Sequence, residues 1–99
     1  MIEIPFRPHF REDLLCGKKT CTARNKKYGQ RGEAFKAFGT FFQITRIEKL
    51  KLAFVRDKLF LLEGCESPEH FQRIWEEIHP RKGFDPDQEV YVHSFKRVP

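Results

Sequence analysis

The sequence contains 99 residues, and its 19 lysines and arginines against 14 acidic residues give a formal net charge of +5. A chain of this length forms a single hydrophobic core, so we expect one domain over residues 1–99. Hydrophobic residues account for 39% and charged residues for 33%, which excludes a disordered chain, and the basic surplus suits phosphates or another anionic ligand.

The first quarter of the chain predicts a strand, a helix and a second strand. Ile2–Phe6 alternates weakly, as a short strand does, and Pro8 then takes the first position of a two-turn helix that Gly17 ends. Lys18–Arg24 carries β-branched residues at alternate positions, which is typical of a strand. Three side chains share one face of this strand: Thr20, Thr22 and Arg24.

The middle of the chain predicts a loop and two strands. Asn25–Gly32 contains two glycines and is expected to form a basic loop. Its cations are Lys26, Lys27 and Arg31. Glu33–Phe38 follows as a strand, and after a turn Phe41–Leu52 forms a longer one. Arg46 interrupts the apolar alternation of the longer strand, which a β-bulge or bend near this position explains.

The last part of the chain predicts two helices and a closing strand. Phe54–Leu62 has apolar residues at helical spacing, and Ser67 caps a second helix that Pro80 stops. The apolar face of the second helix consists of Phe71, Ile74, Trp75 and Ile78. Glu89–Val98 alternates as a strand, so the order of elements predicts a mixed α+β domain with a small, strongly bent sheet or barrel.

The numbers of aromatic and cysteine residues exclude further classes of protein. Most of the eleven phenylalanines are expected in the core, because their rings need no hydrogen-bond partner. The three cysteines form no CxxC pair, which argues against a secreted disulfide framework, and no spacing with the four histidines resembles a zinc finger. With no leader pattern and no apolar run of about 18 residues, we expect a cytoplasmic protein.

The segment Gly17–Arg24 (Gly-Lys-Lys-Thr-Cys-Thr-Ala-Arg) places two lysines directly before two threonines and an arginine. Burial and neighbouring cations lower the pKa of a lysine, and a neutral lysine can take a proton from a hydroxyl and make it a nucleophile. The competing interpretation is a solvated lysine pair followed by ordinary strand threonines. Spacing alone leaves both interpretations open.

The same segment resembles the Gly-x-Lys-Thr-x-Thr-x-Arg signature of the ASCH domains, small barrels of the PUA-like superfamily. Three further features agree: Gly32-Glu33 after the loop, Glu63-Gly64 before the capped helix, and the aromatic, basic strand Tyr91–Arg97. The resemblance covers Phe6–Phe95 and implies an α+β, PUA-like β-barrel of about five or six strands with flanking helices. Glu33 departs from the family pattern, which usually has aspartate there.

The resemblance also implies an activity. One branch of the family consists of small amidohydrolases that remove the acetyl group from N4-acetylcytidine, and their catalytic residues correspond to Lys19, Thr22 and Glu63. Thr22 would attack the acetyl carbonyl after Lys19 takes its proton, and water would then release the acetyl-threonine. Glu63 would protonate the leaving amino group or position substrate and water. Arg24 would stabilise the oxyanion or hold a ligand anion. The scheme requires no metal or cofactor.

Structural roles compete with several of these assignments. A glutamate before a glycine at a helix end is commonly a surface residue, so Glu63 takes its catalytic assignment from the resemblance. Thr20 and Arg24 also fit a hydrogen-bonded lining that shapes the cleft, and for Thr20 this role fits better than a catalytic one. The helical spacing of Phe71 and Trp75 favours the core over base stacking. Cys21 is expected to face inward from its strand.

A second function, of a different class, is RNA binding through a basic cleft, as PUA-like domains commonly show. Each phosphate contact would then steepen the salt dependence of binding by about 0.7. The candidate substrate- or RNA-binding residues are Lys18, Thr20, Arg24, Lys26, Lys27 and Arg31, with Lys19 joining the phosphate contacts if RNA is bound. A third function is a small-molecule sensor that keeps the pocket without the chemistry. The expected partner is a modified nucleoside or RNA, with no membrane and no obligate protein partner.

Overall fold

A computed structural model describes the whole sequence, Met1–Pro99, as an α+β fold built on one curled, half-barrel sheet. The strands are β1 (Cys21–Arg24), β2 (Ala34–Ala37), β3 (Thr40–Lys51) and β4 (Glu89–Arg97). The helices are α1 (Arg11–Leu15), which continues a 3-10 turn over Pro8–Phe10, α2 (Leu52–Lys58) and α3 (Pro68–Ile78). All strand pairs are antiparallel, in the order β1-β4-β3-β2, so the chain-terminal strand β4 lies between β1 and the long strand β3.

The α+β class is confirmed, but the sheet has four strands where five or six were expected. The predicted strand at Ile2–Phe6 is wrong. Ile2 forms one isolated parallel bridge to Phe35, and its amide donates to the carbonyl of Ala34 at 3.2 Å. Pairing with β2 does not extend beyond that bridge.

The bend predicted in the long strand is confirmed. The register of β3 against β4 shifts between Ile44 and Arg46, so Thr45 is an extra residue that no β4 residue opposes. At its N-terminal end β3 follows β2 through a two-residue turn, in which Phe38 and Gly39 have φ angles of 51° and 79°. Two positive φ angles match the twist of the flanking strands in a type I′ hairpin.

The buried side chains form two hydrophobic clusters. One lies between the sheet and helices α2 and α3 and includes Val55, Trp75 and Val92. The other packs Leu14 of α1 against an aromatic group that includes Phe35. Every phenylalanine except Phe41 and Phe54 belongs to or packs against one of these clusters, as the sequence predicts. Strand β4 contributes to both clusters, with Val92 in the first and Phe95 in the second.

Helix α3 begins and ends where its predicted cap and stop residues place it. Ser67 accepts a hydrogen bond from the amide of His70 at 3.0 Å and starts α3, which ends at Ile78 before Pro80. Helix α2 begins at Leu52 and ends at Lys58, earlier than predicted, and the following residues form turns that lead to Glu63. No helix combines the length and apolar character needed to cross a membrane.

Candidate functional site

A cavity of about 690 Å³ lies where four parts of the chain meet. They are the segment before α1, strand β1 with the loop that follows it, the residues after α2, and helix α3. The volume is in the range of small-molecule sites, and the aromatic walls include Phe6, Tyr28 and Trp75. The cavity also brings together residues that are distant in sequence, among them Lys19, Thr22 and Glu63.

Lys19 and Glu63 form a buried pair in this cavity. The Nζ of Lys19 donates to Oε1 of Glu63 at 3.1 Å and to the Glu63 carbonyl oxygen at 2.9 Å, with side chains only 2% and 6% exposed. The same Nζ lies 4.5 Å from the ring centroid of Phe10, a cation–π contact. An ammonium has three donors, so these two hydrogen bonds leave one without a protein acceptor.

Backbone hydrogen bonds explain how residues 44 positions apart meet. The carbonyl of Leu62 accepts from the amides of Thr20 at 2.8 Å and Cys21 at 3.2 Å, which fixes the turn after α2 along the start of β1. The amide of Glu63 donates to Leu59 at 3.0 Å and completes that turn. Glu63 is therefore placed against Lys19 by main-chain geometry.

Thr22 and Arg24 form a second hydrogen-bonded pair on the cavity wall. Thr22 is 4% exposed, and its Oγ1 accepts from Nε of Arg24 at 3.0 Å. The guanidinium carbon lies 4.9 Å from the ring centroid of Phe6 and 5.7 Å from that of Tyr28. Burial lowers the pKa of Arg24, because desolvation penalises its charged form. No hydrogen bond joins Thr22 to Lys19, although both side chains line the cavity.

The other predicted binding residues are divided between the cavity and the surface. Lys26 lines the cavity, with its Nζ 4.8 Å from the Tyr28 ring centroid. Lys18 is exposed and Thr20 is half-buried, and neither lines the cavity. Lys27 and Arg31 are exposed beside Arg46, at a separate shallow depression.

The cysteines near the site carry protonated thiols. Cys21 faces inward as predicted, and its Sγ lies 3.6 Å from Oε2 of Glu63. Burial, with the nearby Glu63 carboxylate, raises the pKa of Cys21 far above its ordinary value. Burial also raises the pKa of Cys65, which lines the cavity, to about 11. A thiol is a poor nucleophile in its protonated form, so neither cysteine is an activated nucleophile.

His93 does not line the cavity, but it connects two segments that do, and the sequence analysis did not identify it. It is fully buried on β4, where its Nε2 accepts from the amide of Tyr28 at 2.9 Å. Its Nδ1 lies 3.1 Å from the carbonyl oxygen of Tyr91 and 3.3 Å from that of Thr22. Because Nε2 is an acceptor, the proton is on Nδ1. The neutral ring thus ties the basic loop to the strand that carries Thr22. A histidine within an aromatic, basic strand gives no sequence signal for this role.

We expect His93 to make folding stability depend on pH. Burial lowers its pKa from the ordinary value of 6.5, the hydrogen bonds to the Thr22 and Tyr91 carbonyls partly oppose that shift, and Arg24 and Lys27 add to it. The unfolded chain therefore binds the proton first as the pH falls. The stability from the neutral ring is complete above pH 6.5 and is lost as the pH falls through the lower, folded value.

Urea unfolding from pH 7.5 to 5.0 measures this contribution. His79 also has a lowered pKa, because of burial and nearby cations. The informative quantity is therefore the difference between the unmodified protein and His93→Gln, which keeps His79. We expect the unmodified protein to lose more stability over this range than the variant, and parallel curves would contradict the assignment of the neutral ring.

Gly64 is predicted to be intolerant of a side chain because of its position beside Lys19. Its φ is +87°, and an added Cβ would lie 3.2 Å from Oδ2 of Asp13 and 3.3 Å from Cβ of Lys19. Gly17 is a matched control, with a φ of +83° and nothing within 4 Å of an added Cβ. Both alanine variants bear the left-handed backbone cost, roughly 1–2 kcal/mol. Urea unfolding should show a larger loss for Gly64→Ala, and equal losses would argue against crowding.

Comparisons with known proteins identify the fold. No family model and no curated protein matches the sequence. The crystal structure of an ASCH domain from Lactobacillus crispatus JV V101 is similar, with a TM-score of 0.69 over 96% of this chain and 77% of that domain, at 16% identity. A protein of family DUF984 from Enterococcus faecalis V583 also has a TM-score of 0.69, over 91% of this chain and 70% of that one, at 20% identity. The expected ASCH-like fold is confirmed.

Proposed function

We propose that this chain, which has an ASCH-like fold, is an amidohydrolase that removes an acyl group from a modified nucleoside such as N4-acetylcytidine. The observation that supports this proposal is the buried Lys19–Glu63 pair in the cavity that Thr22 also lines. A buried ion pair is a costly structural element, because both charges are removed from water. Its location beside a buried hydroxyl favours a chemical role for the pair.

The pair can supply both the base and the acid of amide hydrolysis. Transfer of one proton along the 3.1 Å hydrogen bond from Lys19 to Glu63 gives a neutral amine and a carboxylic acid. The oxygen of Thr22 then attacks the acyl carbon as its proton passes to Lys19, and Arg24 stabilises the oxyanion. The carbon–nitrogen bond breaks as Glu63 protonates the leaving amino group, and an acyl-threonine ester remains.

The second half of the cycle restores both partners. A water molecule attacks the ester carbon and gives its proton to the Glu63 carboxylate. The oxygen of Thr22 leaves and takes a proton from the Lys19 ammonium. Lys19 and Glu63 thereby return to the neutral pair that began the cycle. The contact between Thr22 and Lys19 would form in the substrate complex, as catalytic hydrogen bonds often do.

The cavity walls suit a nucleobase. Phe6, Tyr28, Phe71 and Trp75 provide aromatic and apolar surface. The indole Nε1 of Trp75 is buried without a hydrogen-bond partner and has almost no accessible surface, so Trp75 contributes its apolar ring surface to the wall. The walls thus provide the planar, apolar surface that a base-binding site requires.

Chromatography of N4-acetylcytidine after incubation with the purified protein tests the proposal. We expect cytidine and acetate to appear with the unmodified protein and not with Lys19→Ala. Lys58→Ala is the matched control, because Lys58 is an exposed lysine on α2 outside the cavity. Circular dichroism of each variant separates loss of activity from loss of fold. No cytidine at high protein concentration would argue against this activity.

RNA binding remains the alternative proposal, and it draws on the exposed Lys26, Lys27 and Arg31 of the basic loop. Lys19 contributes nothing to it in this state, because it is buried and paired with Glu63. Binding to RNA oligomers should then fall steeply with salt, with a slope of about 0.7 per phosphate contact. Steep salt dependence without hydrolysis would favour this function.

A further inference from the structure

We propose that the acyl group removed by this protein carries a carboxylate, as in an amide of a short dicarboxylic acid, and that Arg24 binds it. The inference rests on the proposed amidohydrolase function and adds the charge of the substrate. It follows from the pairing of Arg24, the charges lining the cavity and the distance from Arg24 to Thr22.

Arg24 is a partly buried cation without an anionic partner. It takes part in no ion pair, and the side chains that it hydrogen-bonds are hydroxyl groups, that of Thr22 at 3.0 Å from Nε and that of Tyr28. The rings of Phe6 and Tyr28 hold the guanidinium in place. Desolvating a cation without pairing it is unfavourable, and a planar guanidinium is well suited to bind a carboxylate through two parallel hydrogen bonds.

Taken together, the charged side chains that line the cavity favour the binding of an anionic substrate. The lysines and arginines that line the cavity are Arg7, Lys19, Arg24 and Lys26, and the one carboxylate is that of Glu63. Glu63 is already paired with Lys19, so three cations lack a counter-ion in the cavity. An uncharged acetylated nucleoside would leave this excess uncompensated, whereas a substrate with one carboxylate reduces it. A cavity with fixed positive charge also raises the local concentration of anionic substrates.

The distance to Thr22 places this anion on the acyl side of the substrate. A carboxylate on the terminal nitrogens of Arg24 lies roughly 6–8 Å from Oγ1 of Thr22, since Nε is 3.0 Å from that oxygen. The attacked carbon lies about 3 Å from the same oxygen. The remaining span matches the few bonds between the two carboxyl carbons of a malonyl or succinyl group. A 5′-phosphate is separated from the attacked carbon by the base and the ribose.

Relative values of kcat/KM for three substrates test the inference: N4-acetylcytidine, N4-succinylcytidine and N4-acetylcytidine 5′-monophosphate. We expect the succinyl substrate to exceed the acetyl one by about 10- to 100-fold, the usual range for a hydrogen bond to a charged group. The 5′-phosphate should give no comparable gain. Arg24→Gln should lower this succinyl-to-acetyl ratio to near one. Lys36→Gln, the same change at an exposed residue of β2 outside the cavity, should preserve the ratio.

Each of the other possible outcomes contradicts a specific part of the inference. Hydrolysis of N4-acetylcytidine without a succinyl preference overturns the inference and leaves the proposed function standing. A preference that survives Arg24→Gln overturns the role of Arg24, as does equal loss on both substrates, which would indicate oxyanion stabilisation alone. A larger gain from the 5′-phosphate would identify a phosphate subsite instead.

Binding to the Thr22→Val protein separates the two proposals if no substrate is hydrolysed. Calorimetry with N4-succinylcytidine and N4-acetylcytidine reports the anion preference without turnover. Tighter binding of the succinyl compound would support the carboxylate site and overturn only the hydrolase. Equal affinities would overturn both.

Discussion

Replacing Thr22 by valine is expected to lower kcat/KM for N4-acetylcytidine at least about 1,000-fold while the protein stays folded. Valine has nearly the shape of threonine, so the buried volume of this 4% exposed side chain is preserved. The change removes the oxygen that forms the acyl-threonine bond. It also removes the acceptor of the Arg24 Nε hydrogen bond, a loss of about 1–3 kcal/mol, below the usual stability of a domain.

Thr20→Val is the matched control for Thr22→Val. The same atoms are exchanged two residues earlier in the chain, at a side chain that does not line the cavity. We expect its kcat/KM to stay within about threefold of the unmodified value, since the half-buried side chain of Thr20 lies outside the cavity. Thr22→Ser, which keeps a hydroxyl, should restore part of the turnover. Undiminished turnover in Thr22→Val would rule out the threonine nucleophile.

Local signals in the sequence were sufficient for most of the fold. The hydroxyl of Ser67, with proline after it, specifies the start of α3 because the cap satisfies an otherwise unpaired amide. The break in alternation near Arg46 specifies the bulge, since one extra residue reverses the face of every following side chain. Ile2–Phe6 failed as a strand because its pairing depends on an edge of β2 that local pattern does not reveal.

The site was predictable only in part. Strand alternation indicates that Thr22 and Arg24 share a face, and the 3.0 Å hydrogen bond between them shows that they do. The contact between Lys19 and Glu63 joins residues 44 positions apart, and no spacing rule predicts it. The family resemblance implied that both residues belong to one site but not that they pair, and their catalytic roles are proposals. His93 was missed because its function arises from a hydrogen bond to the main chain of a distant loop.

Breaking the Lys19–Glu63 pair should be among the most destabilising changes that this protein can undergo. In Lys19→Met or Glu63→Gln, one charged side chain remains buried without its counter-ion. Removing one partner of a buried ion pair usually costs about 3–5 kcal/mol, a large part of the total stability of a small domain. Urea unfolding of each variant measures this loss. The exposed Arg46–Glu48 pair is a matched control, with a similar distance of 2.9 Å and side chains 67% and 39% exposed.

Breaking the exposed Arg46–Glu48 pair should lower folding stability only slightly, because water screens the attraction between its charges. Glu48→Gln is expected to cost at most about 1 kcal/mol. The contrast between two pairs of similar length then reports the effect of burial alone. Similar losses in both would indicate that the Lys19–Glu63 pair is hydrated in solution.

The double variant Lys19→Met, Glu63→Leu shows whether the buried pair is needed for folding stability or for the proposed reaction. Replacing both charges by apolar side chains removes the desolvation cost, so stability should return to near that of the unmodified protein or exceed it. Hydrolysis of N4-acetylcytidine should stay undetectable, because the base and the acid of the proposed cycle are both gone. A stable, inactive double variant would mean that the buried pair is retained for the reaction and not for the fold. A double variant as unstable as either single one would make the pair a structural requirement of the junction between β1 and the turn after α2.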